Sequence, residues 1–360
     1  MRAFTEQAYA AADGPVPTRN RRGASLKPCP PNADVHLVRA LRLYAGVGLL
    51  LAAAYPIAAR FDTGYDAWFL LFGVSASVAM TVGAYRPGQA DRLPWLLIAA
   101  GLVFFTLGDA TYLVYDARGA EMPFPSAADI LYLIGYPLLG AGLLGLIRLR
   151  SPGRDWPTLV DAAIITTAVS GAVWAFVMGP IVGDRELTGL EKVVSLSQPM
   201  ADVALIAFAT RMFITASRAN RAFQLITAAV VLQLAGDLSY AVGTLQGWYD
   251  GDGPVDLTWI ASYLLWGCAA LHPGLPALTH QRDEPEEGLG RRRLALLVAA
   301  ILAAPAMMVY GSVRAASAEL VVTAATSVVV FLLVVVRLAG LVTRQERARR
   351  WERSLRSSAA

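Results

Sequence analysis

Charged residues are scarce in this sequence. Asp, Glu, Lys and Arg make up 16% of its 360 residues, whereas apolar residues make up 56%. A soluble domain carries roughly a quarter charged residues, so this composition excludes an ordinary water-covered surface. The apolar residues fall in long blocks that do not alternate with polar residues, which excludes the strands of a membrane barrel. Several blocks reach the roughly 20 residues with which a helix crosses a bilayer. The sequence therefore predicts an all-α integral membrane protein that has the lipid bilayer as its main partner.

Cysteine and histidine are also rare. The two cysteines, Cys29 and Cys268, lie far apart, and only three histidines are present. This excludes a disulfide framework and a metal cluster built on cysteine or histidine, and we expect no cofactor. The net charge of +4 is spread over segments between apolar blocks and forms no basic soluble domain, so we expect no nucleic-acid partner.

Catalytic motifs are missing as well. The chain contains no zincin helix, nucleophile elbow, P-loop or kinase signature, so an enzyme is not expected. The run from Gly140 to Gly145 matches the dinucleotide fingerprint Gly-x-Gly-x-x-Gly, but it lies inside an apolar block with no strand before it. Its glycines are better explained by close packing of membrane helices.

Ten apolar blocks predict about ten spanning helices. Residues 1–35 are rich in Ala, Pro, Arg and Gly, and they predict a disordered basic tail. Residues 36–341 form the transmembrane domain, and residues 342–360 form a cytoplasmic exit helix. The spans are expected at residues 40–59, 68–85, 94–115, 126–149, 156–178, 197–216, 222–245, 256–272, 293–313 and 319–341.

The loops between these blocks predict the orientation of the chain. Short cytoplasmic loops carry more Lys and Arg than outer loops do. With the N-terminus inside, the inner loops hold Arg86, Arg92, Arg148, Arg150, Arg154, Arg218, Arg221, Arg282, Arg291, Arg292 and Arg293. The outer loops hold only Arg60, Arg118, Arg185, Lys192 and Arg314. Both termini are therefore predicted to be cytoplasmic.

Two segments of the sequence repeat each other. Gly108-Asp109-x-x-Tyr112 near the end of the third block recurs as Gly236-Asp237-x-x-Tyr240 near the end of the seventh. The blocks that follow share an acid, two aromatics and a glycine, which are Asp129, Tyr132, Tyr136 and Gly140 in the first copy and Asp256, Trp259, Tyr263 and Gly267 in the second. The offset is 127 or 128 residues throughout. Because four spans separate the copies, spans 3–4 and 7–8 are predicted to form a parallel internal repeat.

The acids within these blocks are the candidate functional residues, because a carboxylate at membrane depth needs a partner or water. Asp129, Asp202 and Asp256 are expected to begin helices, where capping of free backbone N–H groups is the alternative explanation. Asp109 and Asp237 fall in the last turns of helices, where the helix dipole opposes a carboxylate. We therefore predict an outward-facing acidic and aromatic pocket that binds an unknown small ligand or cation, with a purely structural hydrogen-bond network as the alternative. Its residues are Asp109, Tyr112, Asp129, Tyr132, Tyr136, Asp202, Asp237, Tyr240, Asp256, Trp259 and Tyr263.

Two further features lie at the predicted cytoplasmic side. Asp161 follows Arg154, Asp155 and Trp156, and a structural role as a cap or an ion-pair partner is expected there. After Leu341 the chain is rich in helix formers, and Leu341, Ala348 and Leu355 are spaced by seven residues. This spacing predicts the start of a heptad seam and a homodimer through the exit helix. The alternative is that its arginines lie along the anionic inner leaflet.

Several of these motifs resemble a known family. The motifs are Gly108-Asp109-x-x-Tyr112, Pro125-Ser-x-x-Asp129-x-x-Tyr132, Tyr136-Pro137-Leu-Leu, Asp161, Tyr240 and Trp266-Gly-x-Ala-Ala-Leu-His-Pro273. They resemble the multi-pass N-terminal membrane region of actinobacterial cyclic-di-GMP signalling proteins, where that region precedes GGDEF and EAL domains. The resemblance covers about residues 40–356. It implies a sensor in a bacterial plasma membrane.

We therefore expect a signal-transduction module that couples an outward-facing pocket to the exit helix. The resemblance implies a cyclic-di-GMP output module, and no such module is present in this chain. Either this chain is a fragment or a stand-alone relative of such proteins, or the output module is a separate chain. A small-solute or ion transporter is the alternative, because parallel repeats and intramembrane acids are typical of transporters too.

Overall fold

The computed structural model describes residues 31–60, 65–86, 89, 91–150, 156–215, 220–249, 253–279, 294–295, 297–303, 306 and 317–358. Within these residues the secondary structure is helical, without strands. Among the described helices, seven are long and apolar enough to cross a membrane. Many of their large apolar side chains are exposed, among them Leu43, Leu50 and Phe331. Such a surface is stable in lipid but not in water, so the chain is a membrane-embedded multi-pass protein.

Ten α-helices with defined bounds lie within the described residues. Their bounds are α1 Pro31–Arg60, α2 Tyr65–Ala84, α3 Leu93–Ala117, α4 Ala127–Arg150, α5 Trp156–Val173, α6 Gly179–Gly183, α7 Gly189–Thr215, α8 Arg221–Gln246, α9 Asp256–Leu271 and α10 Ser317–Ser358. A π-helical turn at Trp174–Met178 joins α5 to α6, and a 3-10 turn at Pro276–Thr279 follows α9.

Local sequence sets several of these ends. Asn220 caps α8 by accepting a hydrogen bond from the N–H of Phe223 at 3.3 Å. Gly247 ends the same helix with a φ of 70°, a left-handed conformation that other residues rarely adopt. Asp91 accepts the N–H of Leu93 at 3.0 Å and so caps the start of α3. The α8 ends agree with the predicted span at residues 222–245 within a residue.

Not every predicted span agrees with the structure. The helix expected at residues 197–216 begins at Gly189, eight residues earlier. The fifth span runs on through the π-helical turn and α6 to Gly183. The helix α9 has 16 residues and is not among the seven candidates. The span expected at residues 293–313 falls largely outside the described residues, as does the tail at residues 1–30, whereas residues 31–35 already belong to α1. Ten crossings therefore stay a prediction.

The largest core cluster lies between α1, α2, α3, α4, α7, α8 and α9. Fully buried side chains at its centre include Trp95, Leu102, Ile226 and Trp266. A Cβ on Gly142 would stand 2.5 Å from Cγ1 of Ile98, so α3 and α4 approach closely there. The explanation of the Gly140–Gly145 run as a helix-packing motif is thereby confirmed.

A separate apolar cluster attaches α10 to the rest of the protein. Ile164 and Ala168 of α5 pack against Leu297 and Ala300, and Val330 of α10 completes the cluster. The helix α10 contacts α5 and the π-helical turn, and α5 in turn contacts α7. The exit segment after Leu341 continues α10 without a break to Ser358.

Candidate functional site

Asp109 accepts hydrogen bonds from two tyrosines on different helices. It lies on α3, half-buried. The hydroxyl of Tyr132, on α4, donates to Oδ1 at 2.8 Å. The hydroxyl of Tyr263, on α9, donates to Oδ2 at 2.8 Å. Each carboxylate oxygen therefore has one neutral aromatic donor, and the two donors bring α4 and α9 to the same carboxylate.

Asp237 is bound in the same manner on α8, where it is buried. The indole N–H of Trp259, on α9, donates to Oδ1 at 2.8 Å. The hydroxyl of Tyr136, on α4, donates to Oδ2 at 3.1 Å. Gln233, one turn earlier on α8, adds its amide at 3.2 and 3.3 Å from the two oxygens. Three donors thus surround this carboxylate.

The two sets of donors are reciprocal. Asp109 and Asp237 each bind the first aromatic of the helix that follows, which is Tyr132 or Trp259. Each also binds the second aromatic of the other pair of helices, which is Tyr263 or Tyr136. All six residues come from the repeated motifs of the sequence. The structure therefore brings the two copies together at one site, which we call the acid–aromatic cluster.

Glycine precedes each acid because the aromatic donor lies directly over it. A Cβ on Gly108 would stand 2.4 Å from Cε1 of Tyr132. A Cβ on Gly236 would stand 2.6 Å from Nε1 of Trp259. Both distances are far below van der Waals contact. Only glycine therefore lets α4 approach α3, and α9 approach α8, this closely. The Gly-Asp pair in each motif is thus a packing requirement joined to a hydrogen-bond acceptor.

Asp202 does not begin a helix, and the expectation that it does is wrong. It lies in the middle of α7, because that helix starts at Gly189. Its side chain is 8% exposed, and its carboxyl group is within hydrogen-bonding reach of Asp237 and Tyr136. The Oδ1 atom is buried without a hydrogen-bond partner. A third acid from a third region of the chain therefore belongs to the acid–aromatic cluster.

Asp129 and Asp256 make the contacts of helix caps. The Oδ2 of Asp129 accepts the backbone N–H and the hydroxyl of Ser126 at 2.6 and 2.8 Å. Asp256 accepts the N–H of Gly253, again three residues earlier, at 2.9 Å. It also accepts the hydroxyls of Tyr55 at 2.9 Å and Tyr249 at 2.8 Å. These contacts match the capping alternative for both residues.

Tyr112 and Tyr240 lie one helical turn beyond the two central acids. The side chain of Tyr112 is exposed, and its ring centroid is 6.5 Å from that of Tyr132. The ring of Tyr240 packs against those of Tyr249 and Trp259 at 5.2 and 6.0 Å. Each tyrosine therefore packs against an aromatic donor of the acid that precedes it on the same helix.

The electrostatics of the cluster are unbalanced. Tyr, Trp and Gln donate hydrogen bonds but carry no positive charge. Among the residues that the structure describes, no Lys or Arg forms an ion pair with Asp109, Asp202 or Asp237, and no group of three or more metal-binding side chains occurs. Adjacent carboxyls in a region of low dielectric take up a proton or attract a cation.

Two contacts of buried acids are not predictable from the repeated motifs, namely that of Gln233 with Asp237 and that of Arg337 with Asp161. The guanidinium of Arg337 donates from Nε to Oδ1 of Asp161 at 2.5 Å and from Nη2 to Oδ2 at 3.4 Å. Asp161 is fully buried, and Arg337 is 8% exposed. The expected structural role of Asp161 agrees with this contact, but the partner lies on α10 and not nearby in sequence. The available signal was an arginine inside the apolar stretch Ala324–Gly340.

An apolar cavity of about 390 Å³ lies between α4 and α7. Tyr136 lines it on one side, and Ser197 and Phe208 line it on the other. Tyr136 therefore lines this cavity and also belongs to the acid–aromatic cluster.

Comparisons of the chain with models of known protein families, with curated proteins and with solved structures find no match.

Proposed function

We propose that the chain is a membrane-embedded sensory module in which the acid–aromatic cluster binds a small cationic ligand or a proton and α10 transmits the change. One observation carries this proposal. Asp109 and Asp237 are held in reciprocal fashion by neutral donors from α4 and α9, with Asp202 beside them. The cluster therefore has buried negative charge that no residue of the cluster neutralises. A purely structural network would more commonly neutralise such charge with Lys or Arg.

A continuous set of packed helices connects this cluster to α10. Asp202 places α7 in the cluster, α5 packs against α7, and α10 packs against α5. The ion pair between Asp161 and Arg337 fixes α10 to α5 at one point. A shift of α7 relative to α8 would therefore reach α10 through α5. Coupling of this kind needs an element with two positions, and α10 is our candidate for it.

The same proposal includes a parallel internal repeat. The offset of 127 or 128 residues relates the N–H contact of Ser126 with Asp129 to that of Gly253 with Asp256. It also relates the close approach of Gly101 and Gly135 to the hydrogen bond between Ser262 and the carbonyl of Ala229 at 2.9 Å. These equivalent contacts support two related halves that meet at the acid–aromatic cluster.

We place the module in a bacterial plasma membrane with ten crossings and both termini in the cytoplasm, on the basis of its arginine-rich inner loops. There the basic end of α10 would act on a cyclic-di-GMP output module, with a homodimer through this helix as one way to do so. The family resemblance of the sequence motifs supports this assignment.

The test uses the full chain in liposomes, with Cys29 and Cys268 replaced by Ala and a spin label at a Leu355→Cys substitution. Asp109→Asn together with Asp237→Asn removes both charges and keeps one oxygen acceptor at each position, while the amide NH2 can donate to a tyrosine hydroxyl oxygen. We expect the mobility or inter-label distance at position 355 to change relative to the parent. Asp129→Asn is the control, because its carboxylate is already satisfied by Ser126. An unchanged spectrum in a correctly folded double variant would contradict the proposal.

A small-solute or ion transporter is the second candidate. Asp202 favours it, because a partnerless carboxyl oxygen in the middle of a span is typical of a transport path. Flux of protons or small cations into proteoliposomes that is lost in Asp202→Asn would favour transport. Absence of flux together with a response at position 355 would favour sensing.

A further inference from the structure

We propose that Asp202 and Asp237 share one exchangeable proton and that Asp202 carries it. This inference deepens the proposed function, because it names the ligand of the acid–aromatic cluster. It rests on that function only for the step from the cluster to α10. The proton site itself stands on the geometry of α7 and α8.

Both carboxyls are buried within the helical bundle. Asp202 lies midway along α7, 13 residues from Gly189 and 13 from Thr215. At 1.5 Å per residue, about 20 Å of helix lies on each side. Asp202 is 8% exposed and Asp237 is 4% exposed. The hydrogen bonds of both carboxyls must therefore come mainly from within the protein.

The donors present satisfy one of the two carboxylates only. Gln233, Trp259 and Tyr136 all direct their hydrogens to Asp237. Tyr136 has a single O–H, so it cannot satisfy Asp202 at the same time. Oδ1 of Asp202 has no hydrogen-bond partner at all. An ionised Asp202 would thus have to share the single O–H of Tyr136 with Asp237, whereas a protonated Asp202 donates its own O–H to Asp237.

The groups around the pair do not offer an alternative counter-charge. The helix α4 contributes Tyr136, α7 contributes Gln198 in a hydrogen bond with Tyr136, α8 contributes Gln233 beside Asp237, and α9 contributes Trp259. Asp109 on α3 lies close enough to interact with Asp237, and its charge has the same sign. The titratable group on α5 is Asp161, which is bonded to Arg337. In the described part of the chain, one proton held between the two carboxyls is thus the simplest way to remove the repulsion between them.

Release of the proton has a mechanical consequence. The O–H bond of Asp202 breaks, its electron pair stays on the carboxylate, and the proton passes to water or hydroxide. Two adjacent carboxylates then repel each other across the contact between α7 and α8. Because α5 packs against α7 and α10 packs against α5, a displacement of α7 by this repulsion would be transmitted through α5 to α10.

Infrared difference spectroscopy of the full chain in liposomes, between acidic and alkaline pH, tests the proton site. We expect a C=O band of a protonated carboxyl that shifts in D₂O and disappears at alkaline pH. Asp202→Asn should abolish the band while its amide still donates to Asp237, and Asp202→Glu should keep the band at a shifted position. Asp129→Asn should leave it unchanged. A band that survives in Asp202→Asn would overturn the proposal.

Two further outcomes separate this inference from the proposed function. If the band responds to pH but the spin label at position 355 does not, the proton site stands and the sensor proposal fails. If sodium or potassium chloride changes the spectrum at constant pH and no protonated-carboxyl band is present, the site holds a metal cation and the shared proton is wrong.

Discussion

Buried carboxylates are stabilised in two different ways in this protein. In the acid–aromatic cluster, Asp109 and Asp237 receive hydrogen bonds from neutral Tyr, Trp and Gln side chains. At the contact between α5 and α10, Asp161 is bonded to the guanidinium of Arg337. Neutral donors satisfy oxygen atoms but leave the negative charge in place, whereas a guanidinium cancels it.

In the proposed function, this difference distinguishes the group of acids that responds from the contact that anchors α10. A carboxylate with neutral donors can still take a proton or a cation, so its occupancy can change with conditions. An ion pair in a region of low dielectric is already neutral as a unit, and breaking it costs several kcal/mol. We therefore assign the responsive role to the cluster and the anchoring role to the Asp161–Arg337 pair.

Arg337→Leu should have the largest effect on stability, because it leaves Asp161 as a buried charge without its guanidinium. We expect a loss of about 3–5 kcal/mol, measured by unfolding of the purified protein in detergent or lipid. Asp161→Leu combined with Arg337→Leu should restore most of this loss, since the pair is then replaced by apolar contacts. Arg148→Leu, at an exposed position, is the control. Equal losses in the single and double variants would show that the contact is not an isolated ion pair. The contrast between Asp161 and the acids of the acid–aromatic cluster would then be wrong.

Asp237→Ala should be the next most damaging change. It removes the acceptor of three donors, whereas Asp109→Ala removes the acceptor of two. A buried donor left without a partner costs roughly 1–3 kcal/mol. We expect Asp237→Ala to lower stability more than Asp109→Ala, and each Asn substitution to recover part of the loss. The reverse order in thermal unfolding would mean that the hydrogen bonds do not set the stability of the cluster.

Gly108→Ala and Gly236→Ala test the fit of the aromatic donors over the two acids. Each added Cβ would collide with Tyr132 or Trp259, and overpacking of this kind costs about 1–3 kcal/mol. Gly46→Ala is the matched control in α1, because nothing lies within 4 Å of its added Cβ. There the better helix propensity of alanine should raise stability by up to about 1 kcal/mol. Similar unfolding temperatures for all three variants would contradict close packing at the cluster.

Sequence periodicity and repetition predicted much of the fold and of the cluster. Long apolar blocks locate α2, α3, α4 and α8 within a few residues, because each helix must match the thickness of the bilayer. The repeated sequence motifs contain Asp109, Asp237 and their four aromatic donors, and the structure brings these residues into contact. Which donor binds which acid was not predictable, since it depends on how the two pairs of helices cross.

Arg337 and Asp202 show where sequence reasoning stopped. The partner of Asp161 is 176 positions away in the chain, and no local pattern connects them. The start of α7 at Gly189 was missed because Glu191 and Lys192 reduce the apolar signal of its first turns. As a result Asp202 was expected at a helix end, where capping explains an acid, although it lies in the middle of α7.

His272 should give the smallest change in stability. Its charged neighbours are positive, whereas the charged groups of the acid–aromatic cluster are negative. It follows α9, and its Nδ1 accepts the N–H of Gly274 at 2.9 Å. Partial burial, together with the nearby guanidiniums of Arg221 and Arg86, lowers the pKa of His272 below its usual value. The unfolded chain therefore binds a proton more readily than the folded one. Stability should fall as the pH drops below about 6.5 and through the lower native pKa, and it should not change above that range.

The expected loss is below about 1 kcal/mol, because solvent screens a half-exposed ring. Hydrogen exchange at the amide of Gly274 measures it locally, and the exchange rate corrected for pH should rise on acidification. His272→Asn keeps an acceptor two residues before Gly274 but does not titrate, so it should remove this dependence. If the dependence persists in His272→Asn, it originates from another group, with the carboxyl pair of Asp202 and Asp237 the first to examine. If it disappears, the protein has a second pH-sensitive point at which positive neighbours keep the titrating group neutral, the converse of the acid–aromatic cluster.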